Sequence, residues 1–277
     1  MNTSFPPYSV CMSIYKNDKS EFVKLSIDSI LSQSVIPNEI VLVIDGPIGT
    51  ELQNLIFEYE SKQKRLFHVV PLTQNKGLGN ALRIAVENAQ YEYIARMDSD
   101  DIALPNRMEL QLRYMQEHPE CDIVGGQIEE FIDRPSNIVG KRIVPLLNKD
   151  LHQFLKSKCP FNHMTVMFKK STVIKVGSYL DWHYNEDYYL WIRMALFGCC
   201  FANLSETLVY VRVGKEMYQR RGGWKYFKSE RGIQRYMWQH HLIAFPKYCY
   251  NVFIRFVVQV AMPNQMRGWV FRTFARE

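Results

Sequence analysis

The chain has 277 residues, 47% apolar and 22% charged, which excludes a disordered or fibrous polymer and leaves mass for one large domain or one domain with an appendage. Its net charge of +6 conceals an asymmetry: residues 1–150 carry 15 Lys+Arg against 21 Asp+Glu, net −6, while residues 212–277 carry 13 against 3, net +10. No run of about 18 uncharged apolar residues occurs, so no spanning helix is expected, and Met1 to Pro7 shows neither the basic cluster nor the apolar run of a leader.

Strand-like and helix-like patterns then alternate. Tyr8 to Ile14 is a short apolar strand run, followed by Val23, Ile27, Ile30, Leu31 and Ser34 at helical spacing. Ile40 to Ile44 is wholly apolar, as suits a strand buried on both faces. Leu52, Leu55, Ile56 and Tyr59 mark a second helix, and Phe67 to Val70 a third strand. Leu78, Leu82, Ala85, Val86 and Ala89 mark a third helix before a strand over Tyr91 to Met97. This alternation predicts βαβ units and a parallel sheet. Further on, a strand is expected over Met164 to Phe168, and a helix at Leu190, Arg193, Met194 and Phe197, with Asn185 or Asp181 as its cap. The six cysteines show no C-x-x-C spacing and read as reduced thiols of a cytosolic chain.

In open parallel sheets, ligands sit beyond the carboxyl ends of the strands. Those ends carry Ser13-Ile14-Tyr15, Asp45-Gly46-Pro47, Asn75-Lys76-Gly77 and Asp98-Ser99-Asp100-Asp101. An aromatic ring, a carboxylate, a glycine turn and three further carboxylates thus converge on one rim. No G-x-G-x-x-G follows the first strand and no G-x-x-x-x-G-K-[ST] occurs, which disfavours a dinucleotide fold and excludes a P-loop. What remains is a nucleotide held by an aromatic face, an acidic contact and a metal. Asp98-x-Asp100 at a strand end suits a hard divalent ion, which takes one or two carboxylates and completes its shell with phosphate oxygens. The bland alternative is a loop capping a helix from Pro105, with Asp101 as the cap. Tyr15 taken alone is as readily a half-buried core tyrosine.

The stretches SVCMSIYKN, EIVLVIDG, NKGLGNALRIAVENAQYEYIARMDSDDIALPNR and NEDYYLWIRM occur in this order. Together they resemble glycosyltransferase family 2 enzymes of GT-A fold, in particular bacterial O-antigen, capsule and exopolysaccharide transferases that use UDP-hexoses. The resemblance covers residues 1–215 and implies a Rossmann-like, mostly parallel sheet flanked by helices. It implies a nucleotide-sugar part over 1–128 and an acceptor part over 129–215. It implies that Tyr15 lies against the uracil with Ser13 beside it, and that Asp45 accepts the uracil N–H. It also implies that Arg83 faces the nucleotide, Asp98 meets the ribose or diphosphate, and Asp100, with Asp98 nearby, ligates Mn²⁺ or Mg²⁺. The first strand departs from the family's usual P-x-Y-N, ending in Ser13-Ile14-Tyr15-Lys16.

Acidic residues favour the first turn of a helix, so Glu186 and Asp187 are explicable as helix chemistry alone. The resemblance instead makes Asp187 the catalytic base and Glu186 its support. His163 is either an acceptor or diphosphate contact or a satisfied core histidine. Arg220 and Arg221 match phosphate geometry, or form a solvated basic turn. The region 216–277 mixes Trp, Tyr and Phe with Lys and Arg, and predicts basic amphipathic helices at an anionic membrane surface, with part of Val252 to Val260 packed on the body. No nucleic-acid signature is present.

The expectation is therefore an inverting, metal-dependent hexosyltransferase. Its donor is UDP-galactose or UDP-glucose. Its acceptor is a GlcNAc or GalNAc on a polyprenyl diphosphate, at the cytoplasmic face of the bacterial inner membrane. Two alternatives stay open. One is a nucleotidyltransferase; the other is a non-catalytic, membrane-associated carbohydrate-binding protein.

Overall fold

The computed structural model describes residues 5–214 and 222–262. Its front half follows the alternation in the sequence: β1 (Tyr8–Ile14), α1 (Ser20–Leu31), β2 (Glu39–Ile44), α2 (Thr50–Lys62), β3 (Phe67–Pro71), α3 (Leu78–Asn88) and β4 (Tyr93–Arg96). β1 pairs in parallel with β2 and β4, and β2 with β3. The order β3-β2-β1-β4 places a topological switch point between β1 and β4. β2 is buried on both faces, as its unbroken apolar run requires. β4 is shorter than the Tyr91–Met97 apolar run, though Met97 still donates its N–H to the Cys11 carbonyl.

The back half adds β5 (Ile102–Ala103), α4 (Arg107–Glu117), β6 (Cys121–Phe131), β7 (Ile138–Arg142), α5 (Asn148–Leu155), β8 (Met167–Lys169), α6 (Lys170–Lys175), α7 (Glu186–Leu196) and β9 (Cys200–Arg212). The sheet continues β4-β8-β6-β9-β5, with β7 on β6. Here β6 and β9 run parallel, whereas β8 runs against β4 and β6, β7 against β6, and β5 against β9. The parallel sheet is thus the front half of a mixed one. β8 starts at Met167 rather than Met164, because His163–Thr165 forms a 3₁₀ turn. Thr165 Oγ1 donates to the Asn162 carbonyl at 2.7 Å and accepts the Gly126 N–H at 3.1 Å, which fixes that turn.

Two apolar cores flank the sheet. One lies under α1, α2 and α4 and includes Val23, Ile27, Ile56, Met108 and Leu112. The other lies under α3, α5 and α7 and includes Leu82, Leu155, Tyr188 and Trp191. The described residues continue into α8 (Trp224–Gln239) and α9 (Phe245–Phe256), the latter prolonged by a π-type turn, Val257–Ala261. Ile233 and Met237 of α8, with Ile243 beyond it, complete the second core. The stretch from Val252 packs less than its apolar character suggests: Phe253 is 63% exposed, and the buried residues there are Asn251 and Gln259. Among the described residues no helix is long and apolar enough to cross a membrane.

Candidate active site

The carboxyl ends of the front strands do meet on one rim. Asp45 ends β2 and is buried. Its Oδ1 accepts the Lys76 N–H at 2.7 Å and its Oδ2 the Gly77 N–H at 3.0 Å. It therefore fixes the Asn75-Lys76-Gly77 turn, and each oxygen keeps a second lone pair for a ligand. Asn75 Nδ2 returns a bond to the Asp45 carbonyl at 3.1 Å. Between them sits Gly46 at φ +87°, where a Cβ would lie 2.6 Å from the Asn75 nitrogen, so only glycine fits. Ser13 and Tyr15 are half-buried at the end of β1. The Tyr15 N–H donates to Asp18 Oδ2 at 2.9 Å, and Ser99 Oγ donates to the same oxygen at 3.1 Å. Arg83 lies one to two turns into α3, with its guanidinium on Glu87 at 3.1 Å rather than on the rim carboxylates.

The Asp98–Asp101 segment is held from below by α1. Ser26 Oγ donates to the Asp98 carbonyl at 2.7 Å, Ser29 Oγ accepts the Ala103 N–H at 3.0 Å, and Gln33 Nε2 donates to the Leu104 carbonyl at 2.8 Å. The four acidic side chains here take different roles. Asp98 is forked onto the guanidinium of Arg96, which is only 2% exposed. Asp101 is buried and accepts the Arg212 N–H at 2.9 Å; it clips the end of β9 to the rim rather than capping α4, whose cap position is Asn106. Burial, then the charges of Asp100 and Asp98, hold its carboxyl well above the usual range. Asp18 is pushed up to about 6, by burial first and by Asp98 in the opposite sense to its hydrogen bonds. Asp100 opens to solvent, yet desolvation of its carboxyl and the charges of Asp98 and Asp18 push it up to about 6.

Asp100 is thus the carboxylate left for a cation. Asp98 is committed to Arg96, and among the described residues no cluster of three acidic, His or Cys side chains forms a preformed cage. One open carboxylate in an under-neutralised acidic cluster fits a hard divalent ion that draws its other ligands from a diphosphate and water.

Glu186 and Asp187 stand in the first turn of α7. Asp187 Oδ1 accepts its neighbour's N–H, from Tyr188, at 2.7 Å, and Oδ2 accepts the Cys159 thiol at 3.5 Å. Burial raises the Asp187 carboxyl, against those bonds and the positive charges of Arg96 and Arg142. Glu186 is pushed up to about 7 by burial and then by Asp187, with Arg96 opposing. Glu186 also abuts the donor turn: a Cβ on Gly79 would lie 3.1 Å from Glu186 Cβ. The start of α3 and the first turn of α7 are therefore packed neighbours, and the charge of Arg96 acts on both α7 carboxyls. Asn185 occupies the cap position of α7 but makes no side-chain cap bond; its amide goes to Ser229 instead.

His163 joins this region as structure. Its Nε2 meets the Tyr179 hydroxyl at 3.0 Å and its ring lies edge-on to Trp191 at 6.0 Å. Burial, with Arg96 nearby, holds it well below the usual histidine range, hence neutral. Arg220 and Arg221 lie outside the described residues.

Three contributors are not evident from the sequence motifs. Arg96 had one visible signal: a lone cation inside an apolar strand run needs a buried partner. Cys159 and Arg142 had none. Arg142 fixes the Cys159–Asn162 turn by donating to the carbonyls of Cys159 (2.9 Å) and Phe161 (3.1 Å) and to Asn162 Oδ1 (2.8 Å).

Comparison with known proteins shows the family and the fold. The chain is 41% identical over 228 residues to the amylovoran biosynthesis glycosyltransferase AmsE of Erwinia amylovora, covering 82% of this chain and 84% of that protein. It is 32% identical over 278 residues to the UDP-Gal:alpha-D-GlcNAc-diphosphoundecaprenol beta-1,3-galactosyltransferase of Escherichia coli, covering 100% of this chain and 99% of that one. S. aureus TarS 1–349 in complex with UDP-GlcNAc superposes with a TM-score of 0.67 at 16% identity, over 91% of this chain and 72% of that one, and shares the fold, as the GT-A expectation requires. The family profile described as Glycosyl transferase family 2 matches residues 9–177, so the chain belongs to glycosyltransferase family 2.

Proposed function

We propose that this chain is an inverting hexosyltransferase of bacterial surface-polysaccharide or O-antigen synthesis. It moves galactose, or else glucose, from the UDP-sugar to GlcNAc or GalNAc on a polyprenyl diphosphate, in β-1,3 linkage. The observation that carries the reading is the adjacency of the Asp45–Gly79 rim to the first turn of α7, whose two carboxyls feel the charge of Arg96. The Escherichia coli relative's name supports the donor, the acceptor class and the linkage.

In this reading Tyr15 and Ser13 face the uracil, and Asp45 offers its free lone pairs to the base. Asp98, held by Arg96, meets the ribose or diphosphate, and Arg83 swings from Glu87 toward the nucleotide. Asp100, with Asp98 behind it, is the residue to hold Mn²⁺ or Mg²⁺; such an ion supplies Lewis-acid stabilisation of the leaving diphosphate. Asp187 takes the proton of the acceptor hydroxyl. That oxygen bonds to the anomeric carbon as the bond to UDP breaks on the opposite face, which inverts the centre. Burial strengthens Asp187 as a base, against the opposing pull of the Tyr188 N–H, Arg96 and Arg142. Glu186 orients the acceptor. The exposed aromatic residues Trp224, Tyr250 and Phe253, with the basic residues of this region, support peripheral contact with an anionic membrane face.

The test incubates the protein with Mn²⁺, a synthetic GlcNAc- or GalNAc-diphosphate-lipid and a panel of UDP- and GDP-sugars, read by mass spectrometry. The expected result is one hexose added from one UDP-sugar, lost with EDTA and lost in Asp187→Asn with UDP affinity retained. Transfer by Asp187→Asn at the parent rate, or no UDP binding at all, refutes the reading.

A further inference from the structure

Asp187 is placed by two chain segments, and the two C-terminal helices grip both. The first segment, 182–185, runs into α7. Asn185 is 4% exposed and donates its amide to Ser229 Oγ of α8 at 3.0 Å. Ser229 Oγ in turn donates to the His183 carbonyl at 2.6 Å, and Trp182 Nε1 donates to the Ser229 carbonyl at 3.2 Å. The Trp182 ring lies so close to α8 that a Cβ on Gly232 would come within 2.8 Å of it. Between these anchors Tyr184 sits at φ +57°, a left-handed conformation that a tyrosine keeps only when its surroundings impose it.

The second segment, 156–159, brings the Cys159 thiol to Asp187 Oδ2. Here the grip comes from α9. Asn251 Nδ2 donates to the Lys156 carbonyl at 2.9 Å, and Arg255 donates to the Ser157 carbonyl at 2.7 Å. The two helices are fastened to each other by the ion pair of Arg255 with Glu230, whose side chains are 13% and 8% exposed, and by the Asn251–Gln234 bond at 2.7 Å. α8 also sets the Tyr236 ring edge-on to Tyr189 of α7, ring centroids 5.0 Å apart.

We propose that the α8–α9 pair is a positioning clamp for the base, with Ser229 and Asn251 as its positioning residues. The proposal rests on Asp187 being the base of the transfer. The bonds of the clamp fall on the segments that place Asp187, so the clamp acts on proton removal rather than on UDP binding. A carboxylate displaced by about 1 Å loses up to two orders of magnitude in rate, and loss of one strut is a fraction of that.

The test uses the full chain with Ser229→Ala, Ser229→Thr, Asn251→Ser and Asp187→Asn. In Ser229→Ala and Asn251→Ser, kcat falls about tenfold, while KM for the UDP-sugar and UDP affinity stay within about twofold. The acid limb of the kcat–pH profile moves to lower pH as the loosened carboxyl rehydrates. Ser229→Thr keeps the hydroxyl and restores kcat. If kcat and the acid limb are unchanged in both variants while their melting temperatures fall, the helices only stabilise the fold and the proposal is overturned, with the base assignment intact. If Asp187→Asn itself keeps its kcat, the base assignment falls and takes the clamp with it.

Discussion

Replacing Arg96 by methionine separates the stability of the cleft from its chemistry. Methionine keeps most of the buried stem's volume and removes the charge. Two charge-assisted bonds to Asp98 are lost, each worth about 1.5–3 kcal/mol in general. Breaking a buried pair by removing one partner costs about 3–5 kcal/mol. The Asp98 side chain is 28% exposed, so water replaces part of the lost contact and a cost of about 3 kcal/mol is expected, read as a lower urea midpoint at unchanged slope. The second effect is electrostatic. Arg96 opposes the burial that raises Glu186 and Asp187. Without it both carboxyls rise further, and a protonated Asp187 accepts no proton. The acid limb of the kcat–pH profile should therefore move to higher pH, with activity near pH 6 falling more than activity near pH 9. A profile that keeps its limb, in a variant whose stability has fallen as stated, would falsify the placement of Arg96 under the base.

Three other perturbations read other parts of the site. In the folded chain Glu186 holds its proton up to about 7, against an ordinary value of 4.5. Its contribution to stability is full below the unfolded value and is lost as pH rises through the folded one. Glu186→Gln should flatten the stability–pH curve between the ordinary value of 4.5 and the folded value of about 7, by on the order of 1 kcal/mol after solvent screening, measured by urea titrations at several pH values. Gly46→Ala forces a side chain into positive φ and against the Asn75 nitrogen; a loss of about 3 kcal/mol in stability and weaker UDP binding are expected, by thermal melts and titration calorimetry. Asp100→Ala should make UDP binding insensitive to EDTA, and a retained EDTA effect counts against Asp100 as the metal ligand.

The front half of the fold and its rim were legible because their determinants are local. A strand buried on both faces must be an apolar run, so Ile40 to Ile44 announces itself. The Asp45 carboxylate meets the Lys76 and Gly77 amides at the end of one βαβ unit, where strand-end reasoning looks. The rest depends on pairings that no window of sequence contains. Asp101 resembles a helix cap in its own loop, yet its partner is the Arg212 amide on β9. Asn185 has the residue type and position of a cap, yet its amide serves Ser229. Met164 to Thr165 has strand composition, but the Thr165 hydroxyl finds Gly126 and makes a turn. In each case a short polar side chain took a partner far away in sequence: a backbone N–H for Asp101 and Thr165, a hydroxyl for Asn185.

The same contrast divides the chemistry of the site. On the proposed reading, donor recognition needs a rigid cradle for a charged, flat ligand, and the Asp45 part of the rim is fixed by contacts within one βαβ unit. Proton removal needs one carboxylate kept in a narrow balance: buried enough to be basic, near enough to cations to stay ionised. No single helix turn provides that balance. Burial comes from the second core, the opposing charge from Arg96 on β4 and Arg142 on β7, and the hydrogen bonds from Tyr188 and Cys159. Each acts on Asp187 from a different element. The balance therefore holds only when the whole back half is folded, whereas Lys76 and Gly77 meet Asp45 within a single βαβ unit. The Asp45 contacts lie within one βαβ unit, whereas Asp100 and Asp101 are tied to Arg212 of β9, so a change in the back half reaches the rim through the Asp98–Asp101 segment and not through Asp45.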